Sequence, residues 1–159
     1  MNRNRIRVAL PLIAVLAVAT TAVWAAPLAG IDPASGKGRT VAVDGPLTHV
    51  VFFATWCPPC LAEFDALRDL EARWKPDGYR LVLVAINQRE TESRIARFIT
   101  DEQPPGQVLF DRGGTLQARF GLETVPGHIL LGASGQELSR ASSLDEGVAA
   151  AVERHLGSR

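Results

Sequence analysis

"FFATWCPPCLAEF", residues 52–64, carries both cysteines of the chain, Cys57 and Cys60. Just upstream, "HVVFFA" (His49–Ala54) is a continuous apolar, β-branched and aromatic run, the pattern of a strand buried on both faces. Beyond the cysteines the period changes. Leu61, Phe64, Leu67, Leu70 and Trp74 recur at helical spacing, with Glu63, Asp65, Arg68, Asp69 and Arg73 on the other side. Cys57 therefore follows a buried strand, and Cys60 falls in the first turn of a helix. A helix start offers free backbone N–H groups and a dipole that favour a thiolate. Pro58 and Pro59 suit the place, because a first helical turn tolerates proline.

A cysteine pair so placed has three readings: a staple, a metal site holding zinc or Cu(I), or a redox pair. A staple closing so short a loop removes little chain entropy. Zinc asks for about four ligands, and the three histidines of the chain all lie far from the pair in sequence. A two-thiolate Cu(I) site stays open, beside a redox pair in which Cys57 attacks and Cys60 resolves.

Outward from this stretch, "RTVAV" (Arg39–Val43) reads as a first strand and "YRLVLVAIN" (Tyr79–Asn87) as a second buried one. Thr91 caps a helix bearing Ile95, Phe98 and Ile99. "QVLF" is a short strand, "GGTLQARFG" one or two helical turns, and another strand follows Pro126 in "TVPGHILL". "GASG" turns the chain into "QELSRAS", and Leu144, Val148, Val152 and Leu156 line a last helix. The order β-β-α-β-α-β-α-β-β-α predicts an α/β fold with a central mixed β-sheet flanked by helices on both faces.

With 159 residues, 47% apolar and 21% charged, the chain has the material for one core-forming domain. Arg3, Arg5 and Arg7 precede a run, residues 8–31, that carries no charge. Val23 and Ala25 suit a signal peptidase cut after Ala25, so residues 1–25 read as a signal peptide. An uncleaved anchor reaching to about residue 31 fits the same run, with the arginines on the cytoplasmic side. Either way the domain is exported, to the periplasmic side and an oxidising compartment, soluble or tethered through residues 8–31. Residues 32–38, "DPASGKG", read as a linker and 39–159 as the domain. Without residues 1–25 the net charge is about −3, which excludes nucleic acid and anionic membrane as partners of the domain itself.

"FFATWCPPCLAEF", "LVLVAIN" and "GLETVPGHILL" together resemble the thioredoxin superfamily, in particular its exported TlpA/ResA/CcmG-like thiol–disulfide oxidoreductases. The likeness covers about residues 38–156. It rests on Trp-Cys-x-x-Cys after a buried strand with Val-Pro about 65 residues on. The resemblance implies a thioredoxin-like fold, a redox-active Cys57–Cys60 disulfide and a cis peptide between Val125 and Pro126 opposite the cysteines. The Val125 backbone would then pair with an extended substrate segment, and Trp56 would cover the disulfide.

Departures from the family pattern are informative. Many thioredoxins carry a buried acid six residues before the first cysteine; here the position is Val51. Glu63, three residues after Cys60 and on the same helix face, is the acid this branch often carries. It reads as a group that receives the Cys60 proton or raises the thiol pKa by repulsion, against a plain solvated carboxylate. Asp65 stands where a helix-kinking proline is usual, which predicts a straighter helix. Leu61 replaces a common basic residue. His128 is within two residues of Pro126 and reads as a packed or strand-surface side chain, with tuning of Cys57 as the alternative. His49 and His155 read as structural or solvated.

The functional expectation is dithiol–disulfide exchange with protein partners, without cofactor or metal. The family points to a reductant, for example of a haem-binding Cys-x-x-Cys-His in cytochrome c maturation, recharged by a membrane electron donor. The same residues would serve an oxidant of secreted proteins. A Cu(I)-handling protein and a non-catalytic binding module are the other readings.

Overall fold

The structure, a computed structural model, describes residues 26–144 and 146–157. The signal peptide or anchor expected over residues 1–25 lies outside them. The elements run β1 (Leu28–Ile31), β2 (Gly38–Val41), β3 (Leu47–Phe53), α1 (Pro58–Ala62), α2 (Phe64–Trp74), β4 (Tyr79–Ala85) and α3 (Glu92–Glu102). They continue as β5 (Gln107–Phe110), α4 (Thr115–Phe120), β6 (Gly127–Gly132), β7 (Glu137–Ala141) and α5 (Glu146–Leu156). Among the described residues the strands form one mixed sheet in the order β2-β1-β5-β4-β3-β6-β7.

β3 sits at the heart of the sheet because its sequence has no polar face to offer solvent. All seven of its residues are buried. It pairs in parallel with β4 and antiparallel with β6. Successive side chains alternate between the two faces. Phe53 points to one face, where its ring lies 5.6 Å from Phe64 of α2 and 5.9 Å from Phe98 of α3. Phe52 points to the other, 5.8 Å from Phe120 of α4. Helices thus cover both faces, and the fold is the thioredoxin-like α/β architecture that the sequence predicts.

Two differences from the sequence reading matter for the site. The sheet begins earlier than expected: Leu28–Ile31 is a strand, antiparallel to β2 through Leu28↔Val41 to Ile31↔Gly38 and joined to β5 through Ile31↔Phe110. Leu28–Ile31 is therefore part of the sheet, and residues 32–37 form the turn between β1 and β2, where a linker was expected. That turn is held by Asp32, whose carboxylate accepts from the Ala34 N–H and the Ser35 hydroxyl. Leu28 is fully buried. Leu28→Ala is expected to cost about 2–5 kcal/mol, read as a lower urea midpoint at unchanged slope; a midpoint equal to the parent's would remove β1 from the core.

The helix after the cysteines is also not the straight rod that Asp65 suggested. It breaks at Glu63 (φ −89°, ψ −10°), which separates α1 from α2. The Glu63 N–H contacts the Cys60 carbonyl at 3.4 Å, the tighter i→i−3 pattern. The break occurs where the Glu63 side chain turns inward to partners on two other segments, described next.

Candidate functional site

Cys57 ends the loop that leaves β3 and is the N-cap of α1, in extended backbone. The chain turns there because the Cys57 N–H donates to the Ala54 carbonyl at 3.1 Å. Pro58 and Pro59 have no N–H to satisfy, so the first donors of the helix belong to Cys60 and Leu61. The Cys60 N–H points at Cys57 Sγ, 3.3 Å away, and the Leu61 N–H at the Cys57 carbonyl, 3.2 Å away. A backbone donor aimed at sulfur favours negative charge there. The two sulfurs are joined as a disulfide, with the Cα atoms 5.4 Å apart. Both residues are buried, Cys60 the more deeply.

Two segments frame this loop. The Val125–Pro126 peptide is cis, as the resemblance implies, at the entry to β6, the strand beside β3. On the β4 side, the turn at Asn87–Glu90 grips the residues before Cys57. Glu90 Oε1 accepts the Thr55 N–H at 2.6 Å, and the Trp56 indole N–H donates to the Gln88 carbonyl at 2.8 Å. Arg89, in left-handed backbone at φ 59°, lies 5.5 Å from the Trp56 ring. Trp56 is 39% exposed and Leu61 36%, the two exposed large apolar residues among those described. They give the surface around the disulfide an apolar character. Glu90 Oε2 is buried without a hydrogen-bond partner, an arrangement the sequence reading missed. Such a group is uncommon in a folded protein and costs free energy.

Glu63 is not the solvated helix-face carboxylate that its position also allowed. Oε1 accepts the Leu144 N–H at 2.7 Å, and Oε2 is 3.0 Å from His128 Nε2. His128 is itself packed between β3 and β7, 1% exposed. Its Nδ1 is 3.1 Å from His49 Nε2, and His49 Nδ1 is 2.6 Å from the Tyr79 hydroxyl. Burial, with the neighbouring His128 as a second cause, pushes the His49 pKa well below its ordinary value. Burial first, and then the charge of Glu71, push the Tyr79 phenol upward.

Of the residues singled out from the sequence, the structure brings Cys57 and Cys60 into one bond and places Trp56 on the adjoining surface. It turns Glu63 inward to His128. Val125 is half-buried against the core. Sequence reading treated His49 and His128 as separate weak signals and gave Tyr79 no role beyond its strand. No local pattern joins residues 79 and 65 positions apart; the register of β3 with β6 brings His49 to His128, and the chain leaving α1 brings Glu63 to His128.

The chain is similar to known thiol–disulfide proteins. Residues 31–141 match the family described as Redoxin. The thiol:disulfide interchange protein CycY of Rhizobium leguminosarum bv. viciae is 34% identical over 142 residues, 81% of this chain and 74% of that protein. The thiol–disulfide oxidoreductase ResA of Oceanobacillus iheyensis is 30% identical over 84 residues, 53% of this chain and 43% of ResA, so the chain matches less than half the length of that relative. Among solved structures, a putative thiol:disulfide interchange protein DsbE from Chlorobium tepidum has a TM-score of 0.68 at 22% identity, over 84% of this chain and 93% of that one. The last comparison speaks for the fold.

Proposed function

Because the chain belongs to the Redoxin family and is a thiol–disulfide oxidoreductase, we propose that it is an exported reductant of protein disulfides, with cytochrome c maturation as the candidate setting. The single observation that carries the site assignment is Cys57 at the helix start, bonded to Cys60 and receiving its N–H at 3.3 Å. Cys57 thiolate attacks a partner disulfide, and a mixed disulfide forms. Cys60 then attacks Cys57, the enzyme disulfide closes, and the electron pair leaves on the partner's sulfur. Glu63, at the break just after the helix that holds Cys60, takes the proton that Cys60 gives up. Trp56 and Leu61 supply apolar contact area for the partner, and the Val125 backbone before Pro126 pairs with its extended segment.

Residues 1–25 act as a signal peptide or anchor, and the domain, with Leu28–Ile31 in its sheet, lies on the periplasmic side. The chemistry needs no cofactor. It does need a supply of electrons, which in an oxidising compartment falls to a membrane donor. Direction is a matter of potential: for a two-electron couple, 30 mV is worth about 1.4 kcal/mol.

The deciding experiment has two parts. In the Cys60→Ser variant, mixed disulfides with exported proteins are expected to accumulate, a Cys-x-x-Cys-His protein among them. The Cys57–Cys60 potential, read by equilibration with glutathione, is expected well below that of a strong oxidant. A value near about −120 mV would make the protein an oxidant instead. Cu(I) uptake through the pair with no trapped partner would replace exchange by metal handling.

A further inference from the structure

Tyr79, His49 and His128 lie on one face of the sheet, on three neighbouring strands. Tyr79 stands opposite Leu47, and His128 stands opposite Val51. His49 is two residues from each of these β3 positions, so its side chain shares their face. The three side chains form a diagonal that climbs from the start of β4 toward the cysteine end of β3, and Glu63 completes it. The acid that many thioredoxins place at residue 51 is absent, yet a titratable side chain, His128, stands opposite that position on the next strand. Apolar residues would fill this space at lower cost, because buried polar groups must all be satisfied.

The hydrogen-bond polarity of the chain follows from its Glu63 end. A carboxylate can only accept, so His128 Nε2–H donates to Glu63. The positive charge on His128 that helps to lower the His49 pKa puts hydrogen on both of its ring nitrogens, so Nδ1–H donates to His49 Nε2. His49, kept neutral by burial, carries its hydrogen on Nδ1 and donates it to the Tyr79 oxygen. The chain anchors His128 from behind. The chain is therefore no wire for carrying a proton away, since His128 Nε2 already bears hydrogen. It holds the carboxylate charged and fixed.

We infer that Tyr79 and His49 are positioning residues for the exchange reaction: through His128 they fix the N–H that holds the Glu63 carboxylate, three residues after Cys60, and so set how readily the Cys60 proton leaves. This rests on Glu63 being the acceptor for Cys60. In the resolving step, the Cys60 S–H proton passes to the Glu63 carboxylate, the Cys60–Cys57 S–S bond forms, and the Cys57–partner S–S bond breaks. The partner sulfur leaves as a thiolate and is protonated from Glu63 or solvent. Two electrons pass from the enzyme dithiol to the partner. Other charged groups near the chain and the loop are Glu71, whose charge acts on Tyr79, Glu90, which holds the Thr55 N–H, and Arg89 over Trp56. The variants below leave all three in place.

The test follows the ultraviolet absorbance of the Cys60 thiolate against pH in the full chain carrying Cys57→Ser, a readout that needs no reagent to reach this buried sulfur. A carboxylate held charged three residues from Cys60 keeps its thiol protonated, so E63Q is expected to lower the midpoint. Tyr79→Phe removes the oxygen that accepts His49 Nδ1–H and loosens the hold on His128. It should move the midpoint in the same direction by about half a pH unit, roughly threefold in the thiolate-to-thiol ratio at fixed pH. Combined with E63Q it should add nothing. Long-range ¹⁵N spectra should show His49 carrying hydrogen on Nδ1 in the parent and a mixed tautomer population in Tyr79→Phe.

A shift with E63Q but none with Tyr79→Phe, in a variant with unchanged circular dichroism, overturns the positioning role and leaves Glu63 as acceptor. No shift with E63Q overturns the acceptor reading and the inference with it. A Tyr79→Phe shift that persists in the E63Q background also overturns the inference, because the effect would not pass through Glu63.

Discussion

Cys57→Ser is expected to abolish disulfide exchange: reduction of a model disulfide by the dithiol form should fall more than about a thousandfold, at least ~4 kcal/mol of barrier. A serine hydroxyl is not ionised near neutral pH, and its oxygen cannot enter a disulfide. Cys60 does not substitute, because it lies a turn inside the helix and is 1% exposed. The Cys60 N–H that points at Cys57 Sγ would then donate to an uncharged oxygen and contribute little. The stopped-flow comparison needs the Cys60→Ser variant beside it. That variant should keep the first, partner-attacking phase and lose turnover, since a mixed disulfide forms and stalls. Equal rates for the parent and Cys57→Ser would exclude Cys57 as the nucleophile.

The largest stability effect is expected at Phe53. Its ring forms one corner of a triangle with Phe64 and Phe98, whose own centroids are 6.0 Å apart. The triangle ties β3 to α2 and α3, so truncating one corner leaves two rings facing a void between three elements. Phe53→Ala should cost about 3–5 kcal/mol, a large share of what holds a domain of this size together. Chemical denaturation checks it, with far-UV circular dichroism confirming that the variant still folds. A loss under about 1 kcal/mol would mean that the site collapses around the gap. The effect should reach the chemistry too, because Phe53 precedes the Ala54–Trp56 loop and its carbonyl accepts the Ile86 N–H at 3.0 Å.

The β3–Cys57–helix unit was legible from residues 49–74 alone, because a two-faced apolar strand and a 3.6-residue stripe are local patterns. The Val125–Pro126 geometry came through the family likeness and from nothing in its own composition. β1 was missed because "PLAG" adjoins an uncharged apolar run that ends only at Asp32; what makes it a strand is its pairing with β2, and Phe110 joins it to the rest of the sheet. The break at Glu63 was missed for the same kind of reason. Helical spacing continues smoothly through residue 63, and the partners that draw its side chain inward, His128 and Leu144, sit on other segments. His49 looked like an isolated polar residue in a strand, and only strand register reveals two neighbours able to satisfy both ring nitrogens.

The strand β1 also bears on the order of assembly. It is the first of the described strands in the chain, yet it joins the rest of the sheet through Phe110, far along the sequence. Its hairpin with β2 is local and can form early, but docking must wait for β5 and closes a long loop, the slow kind of contact in folding. The β1–β2 hairpin should therefore be the last piece to dock and the first to open, exchanging its amide hydrogens well ahead of those in β3 and β4.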